Sequence, residues 1–328
     1  MFFSLAIPRI SSMPIIHLTL VLFLLYASRT LFVKGVCVFD EEGSHCTCQT
    51  EDIRDLMGLF ICAQAEVFEI QNGYLGISPN SDFLSTFGRQ DDFRQMMDML
   101  NMLPVNKIIF KHITISNVFL SPLLSVLPNT NIREIVLINS TVEDNQKPIV
   151  LLLPSSLLTS VTVVNGSLPS SYLLPNSSYL HSWVMSSIKK AVLVQSQVSQ
   201  LECRFIRHLK SLEELDLSEN ELNDGFIDLT ECPDAFKKLS TLKLSHNRFQ
   251  TYKDVCHSLE NLTSLVDLDL SHNDFSVPPS ACSWHQMFGV FNLSDTKLQQ
   301  IQNYLRVRLK CWTSAITTFC CSVPVRRV

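Results

Sequence analysis

The chain has 328 residues, of which 46% are apolar and only 17% are charged, with a formal net charge of −5. Typical soluble domains carry about 25% charged residues, so this balance excludes a disordered chain, which lacks the apolar surface needed to fold. Only 9 residues are glycine, which excludes collagen and flexible low-complexity linkers. The acidic balance, with no basic run longer than two residues, argues against a nucleic-acid-binding protein.

Residues 1–35 have the composition of a secretory signal peptide. The stretch from Ile15 to Tyr26 is apolar except for one histidine and one threonine. Its length fits a signal-peptide core and is too short to span a bilayer, which takes about 20 residues. Val33-Lys34-Gly35 offers small residues at the cleavage positions, so we predict a mature extracellular chain that starts near Val36.

All eleven cysteines follow this segment, and they fall into three groups. They are Cys37, Cys46, Cys48 and Cys62, then Cys203, Cys232, Cys256 and Cys282, then Cys311, Cys320 and Cys321. Behind a secretion signal, such grouping predicts a disulfide framework, beginning with an N-terminal cap over residues 36–64. The alternative is a metal site at His45-Cys46-Thr47-Cys48, but this segment lacks a second ligand pair at zinc-site spacing.

Five N-x-S/T sequons agree with an extracellular, glycosylated chain. Their asparagines are Asn139, Asn165, Asn176, Asn261 and Asn292.

A leucine pattern organises residues 65–309. Its complete form, Leu-x-x-Leu-x-Leu-x-x-Asn-x-Leu/Phe, begins at Leu212, Leu239 and Leu265. The Leu-x-Leu pair forms a short strand with both side chains inward, and the asparagine amide satisfies backbone groups of the turn that follows. We therefore predict an α/β leucine-rich repeat solenoid, a horseshoe with a concave parallel sheet and an irregular or helical convex side.

Weaker copies extend the array to about nine repeats. The second apolar position of successive copies is spaced mostly 23 to 30 residues apart, and it is occupied by Phe68, Ile108, Ile135, Val161, Ala191, Leu215, Leu242, Leu268 and Phe291. In the weaker copies the asparagine position holds Gly73, Ile113, Ser140, Gly166, Ser196 and Thr296. The 40-residue gap after Phe68 indicates an insertion at 76–104.

This insertion is rich in phenylalanine and methionine. From Asp91-Asp92 onward, its apolar residues fall on one helical face, and acidic residues at a helix start are favourable to the helix dipole. One interpretation is a convex-side helix that packs on the solenoid. The other is a deformable wall of an apolar pocket, because methionine adapts to irregular ligands.

Motifs for catalysis, nucleotide binding and metalloprotease chemistry are absent from the sequence, so we predict neither an enzyme nor a cofactor. One column of the repeat alignment holds Glu219, His246, His272 and Asp295. Such a column could bind a metal or sense pH, but solvated positions beside the asparagines are the simpler interpretation, and we predict no metal.

A family resemblance rests on the cysteines. The run Cys37-x8-Cys46-x-Cys48-x13-Cys62, followed by Ala-Glu-Val-Phe-Glu-Ile at 65–70, resembles the monocyte differentiation antigen fourteen family, the lipopolysaccharide co-receptors of Toll-like receptor signalling. Two repeats bracketed by Cys203 and Cys232 and by Cys256 and Cys282 extend the resemblance to about Leu309. By family pattern the disulfides would be Cys37–Cys48, Cys46–Cys62, Cys203–Cys232 and Cys256–Cys282.

The resemblance implies an innate immune co-receptor with an apolar pocket at its N-terminal end, within about Glu66 to Ile115. The pocket would take acyl chains of lipopolysaccharide or another acylated microbial lipid. Candidate lining residues are Val67, Phe68, Leu75, Phe83, Phe87, Phe93, Met97 and Leu100. Lys107, Lys111 and Arg94 are candidates to bind phosphates at the rim. The implied partners are a lipid-transfer protein and a Toll-like receptor complex, with a second copy of the chain as a further candidate.

The resemblance ends near Lys310. Residues 310–328 contain no repeat and lack the hydrophobic tail of about 10 to 20 residues that a glycolipid anchor signal needs. We expect this form to be secreted, and to be anchored at the cell surface if the natural C-terminus is longer. A solenoid without a terminal cap exposes an apolar face, so we expect poor solution behaviour. Monomeric, reversible refolding on a size-exclusion column would contradict this expectation.

A second class of function stays open at this stage. The chain could instead be a protein-binding repeat ectodomain, a decoy or adhesion receptor that uses its concave face and has no lipid pocket. The Phe/Met-rich insertion is the feature that separates the two.

Overall fold

The computed structural model divides into two compact units, Met1–Val36 and Cys37–Val328. The described residues all belong to the second unit. They are 37–50, 62, 64–75, 103–116, 120, 130–143, 157–167, 186–201, 203–227, 235–259, 261–275, 290–294 and 296. The predicted leader, most of the insertion and the C-terminal tail therefore lie outside the described residues.

The described residues form one twelve-stranded sheet. The strands are β1 (Val38–Phe39), β2 (His45–Gln49), β3 (Val67–Leu75), β4 (Lys107–Ser116), β5 (Glu134–Ile138), β6 (Thr141–Glu143), β7 (Ser160–Val164), β8 (Lys190–Val194), β9 (Glu214–Asp216), β10 (Thr241–Lys243), β11 (Asp267–Asp269) and β12 (Val290–Asn292). They pair in the order β1-β2-β3-β4-β5-β7-β8-β9-β10-β11-β12, with β6 beside β4. Only the β1–β2 pair is antiparallel, as expected where each further strand belongs to a new coil of a solenoid.

The strand pairing confirms the predicted repeat register. Leu215, Leu242 and Leu268 lie directly opposite one another on β9, β10 and β11. The same column continues through the weaker copies, from Phe68 on β3 to Phe291 on β12. The spacing of apolar residues therefore identified strands even where the leucines are replaced.

One continuous apolar core lies behind this sheet, from Cys37 to Leu293. Side chains alternate across a strand, so on β4 Ile108 and Phe110 are buried while Lys107 and Lys111 face outward. Phe249 lies at the centre of an aromatic stack, with its ring centroid 5.2 Å from Phe226 and 6.2 Å from Phe275. Each coil thus buries its own apolar residues against those of its neighbours.

The asparagines of the complete repeats have the predicted role. The side-chain amide of Asn247 donates to the carbonyls of Leu217 (2.9 Å) and Leu244 (3.1 Å), and its Oδ1 accepts from the amide of Leu222 (3.1 Å). Asn220 and Asn273 likewise donate to a carbonyl of their own coil and accept from a backbone amide of the preceding coil. All three side chains are buried, and they satisfy turn groups that burial would otherwise leave unpaired.

Several of the weaker repeats use a serine or a glycine at this position. The buried Ser140 hydroxyl donates to the carbonyls of Ile138 (2.8 Å) and Phe110 (3.2 Å), and Ser196 bonds the Val194 carbonyl at 3.0 Å. Gly166 has no side chain, and a Cβ there would lie 2.5 Å from the Ser140 carbonyl oxygen. The turn of that coil is therefore closed by backbone contact.

Among the described residues of the second half, two helices lie between the strands, α1 (Cys203–Ile206) and α2 (Tyr252–Leu259). On α2, Val255 and Leu259 are buried at a spacing of four, which is one helical turn, while Asp254 faces solvent near the N-terminus. These elements agree with the predicted irregular or helical side of the solenoid. Within the described part of the chain, no helix is long and apolar enough to cross a membrane.

Candidate functional site: the N-terminal cap and the exposed sheet face

Two disulfides build the N-terminal cap. Cys37 pairs with Cys48 and Cys46 pairs with Cys62, which is the pairing that the family resemblance implies. The four cysteines are buried, and Cys48 Sγ lies 3.3 Å from Cys62 Sγ, so the two disulfides are in contact. Sulfurs joined in disulfides are not available as thiolate ligands, so this pairing favours the disulfide interpretation of the segment over the metal site.

The cap starts with a tight turn between β1 and β2. Asp40 Oδ1 accepts hydrogen bonds from the backbone amides of Ser44 (2.9 Å) and His45 (3.1 Å). These bonds, the one from His45 foremost, lower the pKa of Asp40 below its usual value. Gly43 supplies the left-handed conformation of the turn, with φ of 70°. The turn positions β2 against β3.

The second group of cysteines lies only partly within the described residues. Cys203 and Cys256 are each disulfide-bonded. Cys232 and Cys282, the partners that the resemblance implies, lie outside the described residues.

Three of the eight candidate pocket residues lie on β3. Val67 is half-buried on the outward face, whereas Phe68 and Leu75 are buried in the core of the solenoid. Tyr74, one residue before the strand ends, is 53% exposed. The other five candidates, Phe83, Phe87, Phe93, Met97 and Leu100, lie outside the described residues, as do the predicted helix and Arg94.

The two described rim lysines are already ion-paired. Lys107 Nζ lies 3.2 Å from Glu134 Oε2 on β5, and Lys111 Nζ lies 3.9 Å from Glu69 Oε1 on β3. Any phosphate that reached them would have to compete with a carboxylate of the protein itself.

Glu69 was not singled out by the sequence, although it organises this end of the sheet. It is a buried carboxylate on the outward face, and its Oε2 lies 3.1 Å from His45 Nε2. The Gln71 side-chain amide also donates to it. A buried carboxylate needs such partners. The signal for this cluster was the strand register, which places His45 opposite Val67 and Gln71 opposite Lys111, one outward position on either side of Glu69.

A column of left-handed residues crosses the coils, one in each, within β3 and β4 and after the shorter strands. Its members are Asn72, His112, Asn139, Asn165, Gln195, Glu219, His246 and His272, with φ between 49° and 58°. Their backbone amides bond the neighbouring coil, as from Asn139 to the Val164 carbonyl (2.9 Å) and from His246 to the Ser271 carbonyl (3.1 Å). The conformation, rather than a ligand, explains the frequent asparagines.

The two histidines of this column stack face to face. The ring centroids of His246 and His272 are 4.0 Å apart and their planes differ by 9°. Lone pairs in the planes of parallel rings do not converge, so the two rings cannot direct nitrogen atoms at one metal ion. The geometry favours the interpretation as solvated positions, and Asp295 lies outside the described residues.

The sequons differ in their surroundings. Asn139 and Asn165 are exposed neighbours in the left-handed column, and Asn165 Nδ2 donates to Asn139 Oδ1 at 2.7 Å. Asn261 is exposed, whereas Asn292 lies on the outward face of β12 and accepts from the Ser294 amide at 3.1 Å. Asn176 lies outside the described residues.

Comparisons with known proteins agree with this architecture. The Leucine Rich Repeat family matches residues 211–239 and 264–284. Monocyte differentiation antigen CD14 of Homo sapiens is 28% identical over 283 residues, which are 84% of this chain and 74% of CD14. The chain resembles CD14 along most of its length.

Toll-like receptor 2 is similar to a shorter part of this chain. The Mus musculus receptor is 33% identical over 143 residues, and the Homo sapiens receptor is 32% identical over 142 residues. The match covers 44% and 43% of this chain but only 18% of either receptor, so the chain spans less than a fifth of these relatives. The chain therefore has a leucine-rich repeat fold and is similar in sequence to CD14 and to part of Toll-like receptor 2.

Among solved structures, human 5T4 (trophoblast glycoprotein) superposes with a TM-score of 0.41 at 13% identity, covering 73% of this chain and 80% of 5T4. An internalin (inlF) of Listeria monocytogenes has a TM-score of 0.39 at 15% identity, covering 77% of this chain and 67% of the internalin.

Proposed function

We propose that the protein is an innate immune co-receptor that binds the acyl chains of lipopolysaccharide, or of another acylated microbial lipid, at the N-terminal end of its solenoid. It would receive the lipid from a transfer protein and pass it to a Toll-like receptor complex, promoting inflammatory signalling. The observation that carries the proposal is the match to CD14, which extends over 74% of that protein. The two cap disulfides, paired as the resemblance implies, support it.

The chemistry of β3 is compatible with an apolar pocket beside it. Phe68 and Leu75 belong to the core, so in this proposal the ligand meets the 76–104 insertion rather than these side chains. Tyr74 presents an exposed aromatic ring where the chain leaves β3 toward that insertion. Burial of an acyl chain contributes about 0.8 kcal/mol per methylene, so part of one chain in a dry cavity gives useful affinity.

Direct binding of fluorescently labelled lipopolysaccharide tests the proposal. We expect saturable binding by the wild-type protein and at least tenfold weaker binding by Phe93→Asp and Met97→Asp, because a carboxylate in an apolar cavity is strongly unfavourable. Val266→Asp is the matched control, since Val266 is 45% exposed and lies just before β11, far along the sheet from β3.

Two results would overturn the lipid function. One is the absence of saturable binding by the wild-type protein. The other is equal binding by wild type and by both insertion variants, with circular dichroism showing that all are folded. Either result favours the protein-binding ectodomain instead.

The proposal places the protein outside the cell. We infer cleavage before Val36 and glycans on the exposed sequons, of which Asn139, Asn165 and Asn261 face solvent. Secretion from mammalian cells, N-terminal sequencing and a mass decrease after enzymatic deglycosylation are the expected observations.

A further inference from the structure

The outward face of the sheet carries an apolar strip across four neighbouring strands, β4, β5, β7 and β8. Alternation along each strand directs these side chains away from the core. The strip consists of Ile109, Val136, Ile138, Val164, Val192 and Val194, with the Thr162 methyl group between them. Val136 is 6% exposed and the others are half-buried.

This composition is unusual for the position. On β9, β10 and β11 the column that holds Ile109, Val136 and Val192 continues as Asp216, Lys243 and Asp269. Outward positions of a sheet that faces water are normally polar. A contiguous apolar patch bordered by polar residues indicates an interaction surface.

The two ends of the strip differ in charge. At the β3–β5 end the charges are matched, because Lys107 pairs with Glu134 and Lys111 pairs with Glu69. At the other end, β9 to β11 present four carboxylates and one lysine on this face, and Lys190 of β8 pairs with Glu214 at 3.1 Å, so the net charge including Lys190 is −2. The five residues of β9 to β11 are Glu214, Asp216, Lys243, Asp267 and Asp269.

The lysine leaves two of these carboxylates without a counter-ion. Lys243 Nζ lies 3.5 Å from Asp216 and 3.8 Å from Glu214. Within the described part of the chain, no cationic side chain lies within ion-pair distance of Asp267 or Asp269, and Asp269 Oδ1 accepts a hydrogen bond from the Ser271 amide at 3.0 Å. A cationic side chain from another molecule would supply the counter-ions that Asp267 and Asp269 lack.

We propose that this face, from Ile109 to Asp269, is a docking surface for a protein partner that presents apolar side chains followed by lysine or arginine. Adjacent strands are about 4.8 Å apart, so the apolar strip spans roughly 14 Å, and β11 lies about 14 Å beyond it. A helix rises 1.5 Å per residue, so a helix crossing the strands would carry about ten residues of apolar contact, then basic residues over a similar length.

The charge selects a basic protein segment over a lipid. An anionic lipid headgroup would be repelled by Asp267 and Asp269, and an acyl chain offers nothing to pair with them. The surface does not depend on the proposed lipid site, which lies at the β3 end and in the 76–104 insertion.

A synthetic helical peptide of 20 residues is the probe, with leucines on one face of its first half and four lysines in its second half. A second peptide carries glutamate in place of each lysine. By isothermal titration at 50 mM salt, we expect the lysine peptide to bind the wild-type protein saturably and the glutamate peptide to bind at least tenfold more weakly.

Three protein variants accompany these peptides. Val192→Glu should weaken binding of the lysine peptide at least tenfold, and Asp267→Lys should reverse the preference between the two peptides. Leu157→Glu is the control, because Leu157 is 47% exposed but precedes β7, and it should bind as wild type does. A reversed peptide preference in Asp267→Lys would show that the variant is folded and that its surface charge selects the peptide, because a misfolded variant could not produce this reversal.

The proposal fails if both peptides bind equally, if Asp267→Lys does not change the preference, or if Leu157→Glu weakens binding as much as Val192→Glu does. Labelled lipopolysaccharide binding should be unchanged in Val192→Glu. Its loss there would place the lipid on this face and overturn the docking proposal, whereas its absence in wild type would overturn only the lipid function.

Discussion

At the scale of single residues, the turns between coils are held by side chains whose role follows from their chemistry. Asn220, Asn247 and Asn273 were predictable because a side-chain amide offers two N–H donors and a carbonyl acceptor within one turn. The sequence predicted that Ser140 and Ser196 occupy the asparagine position. It did not predict which carbonyls they bond, since a hydroxyl can donate to any carbonyl within reach. Gly166 occupies the same position and contributes by having no side chain at all.

Substitution of Gly166 by alanine tests that role. The added Cβ would lie 2.5 Å from the Ser140 carbonyl oxygen and 3.0 Å from Val163 Cγ1. Overpacking of this kind costs roughly 1–3 kcal/mol, so we expect the free energy of unfolding, measured by urea titration, to decrease by about 2 kcal/mol.

Gly225→Ala is the matched control, because its Cβ would meet nothing closer than Asn223 Oδ1 at 3.8 Å. We expect it to change stability by less than about 0.5 kcal/mol or to stabilise slightly by restricting the unfolded chain. Equal effects of the two substitutions would show that contact with Ser140 is not what keeps residue 166 small.

At the scale of elements, the strands were predictable and their surroundings were not. Apolar spacing identified the strand column that runs from Phe68 to Phe291, because a stacked coil must bury the same positions in each turn. Apolar spacing does not show which outward side chains contact one another. The Glu69 cluster and the stacked histidines were therefore identified only from the three-dimensional structure. Five of the eight candidate pocket residues lie outside the described residues, so the lipid pocket stays a prediction.

The cap is the element whose disulfides offer the most direct test. Cys46 and Cys62 are 16 residues apart and both are buried. Closing a loop of about 15 residues stabilises a fold by about 3 kcal/mol in the chain-entropy model. We therefore expect the double variant Cys46→Ala/Cys62→Ala to lose about 3 kcal/mol, with the loss of hydrogen-exchange protection concentrated in β2 and β3.

Val38→Ala serves as the control for this variant, since Val38 lies in the cap but is 62% exposed. It should leave stability and exchange unchanged. A double variant with wild-type stability would show that Cys37–Cys48 alone secures the cap on β3.

At the scale of the whole molecule, a single core runs along the array while each strand contacts only its neighbours in the sheet order. Stability in such an array is close to a sum of coil and interface contributions. A destabilising substitution in one coil should therefore lower the stability mainly of that coil and its neighbours. Leu242→Ala on β10 removes a side chain that is buried between β9 and β11, at a cost of about 2–5 kcal/mol.

Native-state hydrogen exchange read strand by strand measures how far that loss spreads. We expect protection to fall most for amides such as that of Leu244, which bonds the Asp269 carbonyl at 2.8 Å, and least on β3 and β4. Val266→Ala, at an exposed position near the same coil, should leave the pattern unchanged. An equal fall on every strand would instead show that the array unfolds as one cooperative unit, and in that case ligands at its two ends would be coupled through global stability.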